Sequence, residues 1–390
     1  MSETKVGIEE VTDGIFVAYA ALGLMAILPI YFGSYASLKF EKKKKGEEED
    51  EFFSLEDAKW FPIIGSCSLF GLYLVFKFLP KDYIDLVVLG IAGTVPVLLE
   101  FSRSVTGLKL IGNYYLSLKG REKDGEEYNV EKFSYHFGYF HLVLLVLSSI
   151  LGGYYAVTKH WVVSNFYGEV FALNAIQLLN LDSFKTGMML LGGLFFYDIF
   201  WVFGTEVMVT VAKNFEAPIK VVFPKNIFDV LEVGLFSQEE KIKFTMLGLG
   251  DIVIPGIFVA LCLQYDFYRY KKTLKGKAPS VKNKYNFSTP YFTSNFIAYI
   301  AGLFTTVFVM HNFKAAQPAL LYLSPACTLT ALITALVRGE VKELFTFNPQ
   351  EKDEKTEGEE KKKLNKNITS EIIVEEVTDL KKRKSPKKKD

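Results

Sequence analysis

The sequence predicts an all-α membrane protein whose chain crosses the bilayer nine times. Half of its 390 residues are hydrophobic and its mean hydropathy is +0.19, although 23% of the residues are charged. This combination is typical of apolar spans separated by charged loops. Nine stretches also reach the roughly 20 apolar residues that a transmembrane helix requires. They are residues 14–38, 60–79, 83–101, 137–157, 161–179, 187–211, 244–265, 290–312 and 316–338.

The first stretch is predicted to be a retained span and not a removed signal peptide. It is too long for the apolar core of a signal peptide, and the flank before it, residues 1–13, is acidic where a signal peptide is basic. No small-residue cleavage site follows it. Residues 1–13 are therefore expected to stay attached to the first span, as a short segment that the orientation argued next places in the lumen.

The distribution of Lys and Arg between the loops predicts the orientation. If the N-terminus is luminal, the cytosolic connections carry 20 Lys and Arg residues and the luminal segments carry 9. Cytosolic loops are the ones enriched in Lys and Arg, so the N-terminus is expected in the lumen and the C-terminus in the cytosol. The longest cytosolic connection, 102–136, contains a semi-apolar stretch at 108–118 that is too short to span and is expected to be interfacial.

The chain divides into two membrane regions and a tail. Spans one to five form an N-terminal bundle at 14–180, and spans six to nine form a second region at 181–345. Residues 346–390 are polar and of mixed charge, which predicts a disordered cytosolic tail. Lys387 and Lys388 lie four and three positions from the end of that tail, where they resemble a dilysine signal for retrieval to the endoplasmic reticulum.

Two acidic residues lie within adjacent apolar spans. Asp198 is in the sixth span and Asp251 is in the seventh, about two turns from its luminal start. An ionised carboxylate at the centre of a membrane costs about 2.5–3.5 kcal/mol on insertion scales, so such residues are usually functional. Neither span contains a Lys, Arg or His residue with which these acids could pair.

The two acids are predicted to be catalytic. The spans are antiparallel and joined by a modest loop, so the two carboxylates can meet and share one proton. The ionised carboxylate would then take a proton from an attacking water, while the protonated one would hydrogen-bond the scissile carbonyl. The alternative is a proton-coupled transporter or channel, because paired acids in membranes also relay protons. The span pattern shows no inverted repeat that would favour a transporter.

Residues beside the acids are candidates for binding substrate. Gly248 and Gly250 remove side chains just before Asp251, which would let a substrate backbone approach closely, although small residues also serve helix packing. Tyr197 precedes Asp198 and could hydrogen-bond near the acids or only pack. The three Cys and four His residues form no CxxC or HExxH motif, and no nucleotide-binding motif is present. No metal, cofactor or nucleic acid is therefore expected.

Several motifs together resemble a known family. Tyr197-Asp198, Gly248-Leu249-Gly250-Asp251 and Pro318-Ala319-Leu320 follow one another in order in three spans. These motifs and the longer stretches 60–67, 190–213, 215–224, 246–258 and 311–327 resemble the signal peptide peptidase family. Its members are GxGD-type intramembrane aspartyl proteases related to presenilin. The resemblance extends over residues 14–345, whereas loop 102–136 and the tail match no motif.

The resemblance implies a function for these residues. Asp198 and Asp251 would be the catalytic pair, and the residues expected to contact substrate are Tyr197, Gly248, Leu249, Gly250, Gln317, Pro318, Ala319 and Leu320. The substrates would be remnant signal peptides and type II or tail-anchored membrane segments, cleaved in the bilayer of the endoplasmic reticulum. A second copy of the chain and the degradation machinery of that organelle are further expected partners.

Two alternative functions stay open within this resemblance, and the role of one segment is also open. A presenilin-like protease would have the opposite orientation and a long hydrophilic loop between the acids, but residues 212–243 are short and partly apolar. A signal-peptide-binding adaptor in membrane-protein degradation would not need both acids, so the intact pair argues against binding as the sole role of the protein.

The role of residues 215–224 is also open. They could pair with an unwound substrate as an added strand, or could re-enter the interface, anchored by Phe215 and Phe223.

Overall fold

The fold is described from a computed structural model, which is mostly helical. The structure describes residues 2–38, 52–78, 113–120, 130–138, 147, 150–155, 157–204, 219–225, 227–228, 230, 243–274, 287–313 and 318–349. Its helices are α1 (Ser2–Ala36), α2 (Leu55–Phe78), α3 (Trp161–Leu178), α4 (Phe184–Phe203), α5 (Leu249–Thr273), α6 (Pro290–Phe313), α7 (Leu320–Arg338) and α8 (Val341–Thr346).

The predicted all-α membrane class is confirmed. Four helices in the described part of the chain are long and apolar enough to cross a membrane: Gly14–Ala36, Leu249–Thr273, Pro290–Phe313 and Leu320–Arg338. A count of nine spans is consistent with this result. The predicted third span, 83–101, and most of the fourth, 137–157, lie outside the described residues.

Three small sheets accompany the helices, and each contains two strands. The strands are β1 (Phe52–Phe53), β2 (Asn113–Gly120), β3 (Val130–Gly138), β4 (Asn180–Leu181), β5 (Lys220–Pro224) and β6 (Phe244–Gly248). β1 pairs with β4 in parallel, whereas β2 pairs with β3 and β5 pairs with β6 in antiparallel orientation. The stretch 108–118, expected at the interface, partly overlaps strand β2.

Helix α5 lies at the centre of the described helices. It contacts α1, α3, α4, α6 and α7, and its buried residues are distributed around the whole helix from Ile252 to Phe267. A helix that is apolar on all sides is stable only when it is surrounded. α5 is therefore the element against which the other spans are positioned.

Two glycines allow close helix packing around α5. A Cβ atom added at Gly256 of α5 would lie 2.6 Å from Cδ1 of Ile176 on α3. One added at Gly187 of α4 would lie 2.6 Å from Cδ2 of Phe258. Small residues at such contacts let helix backbones approach, which is how membrane helices gain van der Waals contact.

A polar network ties the carboxyl-terminal end of α5 to its neighbours. Gly339, with a φ of 68°, ends α7 in a left-handed cap and turns the chain so that Glu340 faces α5. Glu340 accepts a 2.6 Å hydrogen bond from Arg269 and a 2.9 Å bond from the Tyr291 hydroxyl. The buried Asp266 carboxylate accepts the Phe292 N–H at 2.9 Å and so caps α6.

Candidate active site

Asp198 is held in a buried position by helix α4. Ser183 begins this helix by accepting a hydrogen bond from the Thr186 N–H, which fixes the helix start. Asp198 lies five residues before Phe203, the last residue of α4, and only 4% of its surface is exposed. Its Oδ2 atom has no hydrogen-bond partner among the residues that the structure describes, so this oxygen is available to a ligand.

The Pro318-Ala319-Leu320 motif forms the start of α7 and meets Asp198. Ala319 is the N-cap residue and offers no side-chain acceptor to the first N–H groups of the helix. The backbone N–H of Leu320 lies close enough to the Asp198 carboxylate to interact with it electrostatically. A helix N-terminus carries a partial positive charge that stabilises an anion. The motif therefore places the positive end of a helix near the acid, a role that needs no polar side chain.

Asp251 lies in the first turn of α5. The prediction that it lies about two turns into a span beginning at 244 was wrong, because residues 244–248 form strand β6 and the helix begins at Leu249. This apolar run pairs with β5 over its whole length, which gives alternate backbone groups their hydrogen-bond partners without helix formation. Gly248 is both the last residue of β6 and the N-cap of α5, so strand and helix join directly.

Asp198 of α4 and Asp251 of α5 lie within electrostatic range of each other. The contact between the two helices agrees with the predicted packing of adjacent spans, and direct contact between the carboxylates stays a prediction. Asp198 is buried and Asp251 is half-buried, so the pair is sheltered but open on one side. No group of three or more His, Cys, Asp or Glu residues suited to a metal ion occurs within the described ranges.

Tyr299 of α6 positions the backbone at Asp251. Its hydroxyl donates a 3.3 Å hydrogen bond to the Asp251 carbonyl. In a regular helix that carbonyl would accept the N–H of the residue four positions later, but this residue is Pro255, which has no N–H. Tyr299, which is fully buried, supplies the missing donor. Sequence reasoning missed this residue, although the spacing of Pro255 from Asp251 was a usable signal.

The glycines differ in their surroundings. A Cβ atom at Gly250 would meet no atom within 4 Å in the described structure, and one at Gly248 would meet only Oδ2 of Asp251, at 3.5 Å. Both face open space beside the acid, which favours substrate approach over helix packing. Gly193 is different, because its Cβ would lie 2.9 Å from Cγ of Pro62 on α2. It serves helix packing.

The other residues predicted to contact substrate lie beside the acids or outside the described residues. The Tyr197 ring packs against α2, where a Cβ at Gly65 would lie 3.7 Å from its Cε2 atom, and it is also within electrostatic range of Asp198. Leu249 contributes its backbone N–H, which donates to the Ile219 carbonyl at 2.9 Å. Gln317 and the tail residues Lys387 and Lys388 lie outside the described residues.

A β-hairpin leads into the acid-bearing turn of α5. β5 and β6 pair from Lys220 opposite Gly248 to Pro224 opposite Phe244. Within 215–224, residues 220–224 form strand β5, but its partner is β6 of the same chain, and its pairing with a substrate stays a prediction. Phe223 packs edge-on against Trp161 with ring centroids 5.7 Å apart. Phe215, the other proposed interfacial anchor, lies outside the described residues.

Comparison with known proteins then identifies the family. A family model described as signal peptide peptidase matches residues 43–351. The signal peptide peptidase of Homo sapiens is 45% identical over 359 residues, covering 89% of this chain and 88% of the relative. That of Mus musculus is 44% identical over 372 residues, covering 91% and 92%. The chain belongs to the signal peptide peptidase family. A probable intramembrane protease of Schizosaccharomyces pombe is also 35% identical over 347 residues, covering 88% of this chain and 97% of the relative.

Membership in the signal peptide peptidase family makes this chain an intramembrane protease. The match extends through the hairpin, both acids and the start of α7. The transporter, channel and adaptor alternatives gain no support from these relatives.

Proposed function

We propose that the chain is an aspartic endopeptidase that uses Asp198 and Asp251 to hydrolyse remnant signal peptides and type II or tail-anchored segments within the bilayer. The observation that carries this proposal is that two acids on neighbouring helices of a membrane protein lie within electrostatic range of each other, beside the open space at Gly248 and Gly250. Like charges at short range favour a pair that holds one proton between them. Such a pair contains both an acid and a base.

The proposed reaction is direct attack of water on a peptide carbonyl. The ionised carboxylate removes a proton from water, and the resulting oxygen bonds to the carbonyl carbon. The protonated carboxyl hydrogen-bonds the carbonyl oxygen and supplies a proton as the tetrahedral intermediate forms. The C–N bond then breaks as the carboxyl that took the proton from water passes it to the leaving nitrogen, which releases a new carboxyl end and a new amine end.

A helical substrate must unwind before this reaction can begin. Its carbonyls are hydrogen-bonded within the helix, and unwinding in lipid exposes polar groups at a cost of several kcal/mol each. Strand β6 offers N–H and C=O groups next to Asp251 that could pair with the opened backbone as an added strand. Substrates with Gly, Ser or Pro in the span should therefore be preferred.

The proposed location is the membrane of the endoplasmic reticulum, with the N-terminus in the lumen and the C-terminus in the cytosol. The excess of Lys and Arg in the alternate loops supports this orientation, and Lys387 and Lys388 support retrieval. A second copy of the chain and the degradation machinery of that organelle are proposed as partners. The bilayer itself is the environment of substrate and enzyme.

The proposal is tested by cleavage of a synthetic signal peptide. The full chain is purified in detergent with the variants Asp198→Asn and Asp251→Asn, which keep the size of each acid. We expect internal cleavage by the wild type, seen by mass spectrometry, and none by either variant. A variant that still cleaves would show that the acids are assigned wrongly. A wild-type protein that carries proton-coupled flux without cleavage would support the transporter alternative.

A further inference from the structure

Asn165 of α3 hydrogen-bonds both polar backbone groups of one residue in strand β5. Its side-chain N–H donates to the Val222 carbonyl at 2.6 Å, and its side-chain oxygen accepts the Val222 N–H at 2.8 Å. Only 7% of Asn165 is exposed. An amide is one of the few side chains that can donate and accept at once, so it can mimic a neighbouring strand at this point.

The register of the hairpin explains why Val222 is available. In an antiparallel pair, hydrogen-bonded residue pairs alternate with pairs whose N–H and C=O groups point outward. The bonds from Leu249 to Ile219 and from Lys225 to Lys243 fix that alternation. Val222 is therefore an outward residue, and Asn165 occupies the middle of the outer edge of β5.

The other edge of the hairpin is different. By the same alternation, the N–H and C=O groups of Phe244 and Met246 point away from β5. No hydrogen bond to either residue at that edge occurs within the described part of the chain. An added strand can therefore pair with β6 and not with the centre of β5.

The hairpin is connected to Asp251 through few bonds. The Ile219 carbonyl, at the start of β5, accepts the N–H of Leu249, the first residue of α5. Asp251 is two residues further along that helix. Because β6 joins α5 at Gly248 without an intervening loop, a shift of the hairpin would move the first turn of α5 and the acid in it.

Trp161 adds an aromatic contact on the same face of α3. It is four residues before Asn165, and residues at this spacing are neighbours on a helix surface. The Trp161 ring lies 5.7 Å from that of Phe223 and 6.2 Å from that of Phe244, measured between centroids. The aromatic contacts hold both strands, but they do not specify hydrogen-bond register. Asn165 does, because its bonds require one particular residue of β5.

We propose that Asn165 is a positioning residue for cleavage, which fixes the register of the β5–β6 hairpin on α3 and leaves β6 as the edge that receives the substrate. This inference rests on the proposed function, since it assigns the hairpin to the substrate of that site. Asn165 acts through Val222, Ile219 and Leu249 on the location of Asp251. It therefore influences which bond of the substrate is cut.

The test compares Asn165→Leu, which has a similar size and no polar groups, with Asn174→Leu as a matched control. Asn174 is also buried on α3, but its described hydrogen bond goes to the Val170 carbonyl of the same helix. For both full-length variants, the cut positions in a signal peptide are mapped by mass spectrometry and kcat and KM are measured. Backbone hydrogen exchange is followed in segments 219–225 and 243–250.

We expect Asn165→Leu to cut at shifted or additional bonds, with kcat lowered by up to about 100-fold, the loss that a displacement of about 1 Å can cause. Hydrogen exchange in the two hairpin segments should become faster. The control should keep the wild-type cut positions and the wild-type exchange of the hairpin. Loss of activity at unchanged bonds, in proportion to loss of folded protein, would overturn the inference, and so would unchanged exchange in the hairpin.

A second variant tests whether Asn165 acts through Val222. Val222→Pro removes the N–H that Asn165 accepts, at an outward edge position where Pro is tolerated. The double variant Asn165→Leu/Val222→Pro should then be affected about as much as Asn165→Leu alone, because both changes remove one interaction. Additive effects would overturn the inference. If wild-type protein does not cleave, the proposed function fails, and the exchange comparison still decides whether Asn165 holds the hairpin.

Discussion

The hydroxyl of Tyr299 hydrogen-bonds the backbone carbonyl of Asp251, 3.3 Å away on the neighbouring helix. This carbonyl lacks its helical partner because Pro255 has no N–H. The bond between α6 and α5 therefore replaces a missing bond within α5. It holds the first turn of the helix, and the acid on that turn, against a buried side chain.

Removal of the Tyr299 hydroxyl should loosen this turn. Tyr299→Phe leaves a buried carbonyl without a donor, which should lower the free energy of unfolding by about 1–3 kcal/mol and lower kcat for signal-peptide cleavage. Thermal denaturation and kinetic assays measure both effects. The double variant Tyr299→Phe/Pro255→Ala should recover much of the loss, because Pro255→Ala introduces the N–H that the Asp251 carbonyl lacks. A double variant worse than both single variants would contradict this explanation.

Gly250 should be needed for activity and not for stability. Its backbone does not adopt a positive φ, and a Cβ there meets open space in the described structure. Gly250→Ala should therefore keep or raise stability, by up to about 1 kcal/mol, while cleavage is strongly reduced because the methyl group occupies space used by substrate. Gly256→Ala is the contrast, since its Cβ would clash with Ile176 and cost about 1–3 kcal/mol. Equal loss of stability in both variants would argue against a substrate role for Gly250.

The polar network at the carboxyl-terminal end of α5 should contribute more to the free energy of unfolding than the surface ion pair of Lys272 and Glu343 beside it. Arg269 and Glu340 are only 24% and 20% exposed, whereas Lys272 and Glu343 are 60% and 53% exposed. Arg269→Met leaves a mostly buried carboxylate with fewer partners and should cost about 3 kcal/mol. Lys272→Met should cost less than about 1 kcal/mol. Chemical denaturation of the purified variants measures the difference, and similar costs would refute it.

The proposed orientation predicts where glycans can be attached. The sequons at Asn286 and Asn367 lie on the predicted cytosolic side and should stay unmodified. A sequon engineered between residues 226 and 242, on the predicted luminal side, should be glycosylated. Mobility on gels before and after endoglycosidase treatment distinguishes these cases. An unmodified engineered sequon together with a modified Asn286 would show the reverse orientation.

The main features of the site could be predicted from sequence because they depend on local chemistry. Acids in apolar spans are costly enough to be recognised without a structure. Antiparallel adjacent spans also predicted that Asp198 and Asp251 lie near each other, and the two acids are within electrostatic range. The open space beside Gly250 was also anticipated. The proximity of Leu320 to Asp198 was not predicted, since the sequence indicated only that Leu320 belongs to a motif expected to contact substrate, and a backbone N–H leaves no trace in side-chain chemistry.

Other features depended on tertiary contacts that composition does not encode. Residues 244–248 are as apolar as a span, and only their pairing with β5 makes them a strand. Asn165 and Tyr299 have polar groups in apolar stretches, which is usually explained by helix-to-helix bonding. Their actual partners are the backbone atoms of Val222 and Asp251, and a backbone partner can be identified only from coordinates.

The location of the acids along their helices also limits the products. Asp198 lies about 8 Å from the end of α4, and Asp251 lies about 3 Å from the start of α5, at 1.5 Å per residue. Both are near the same end of the α4–α5 pair. We expect the cut to fall at that end of the pair, so the two products would contact α4 and α5 over different lengths.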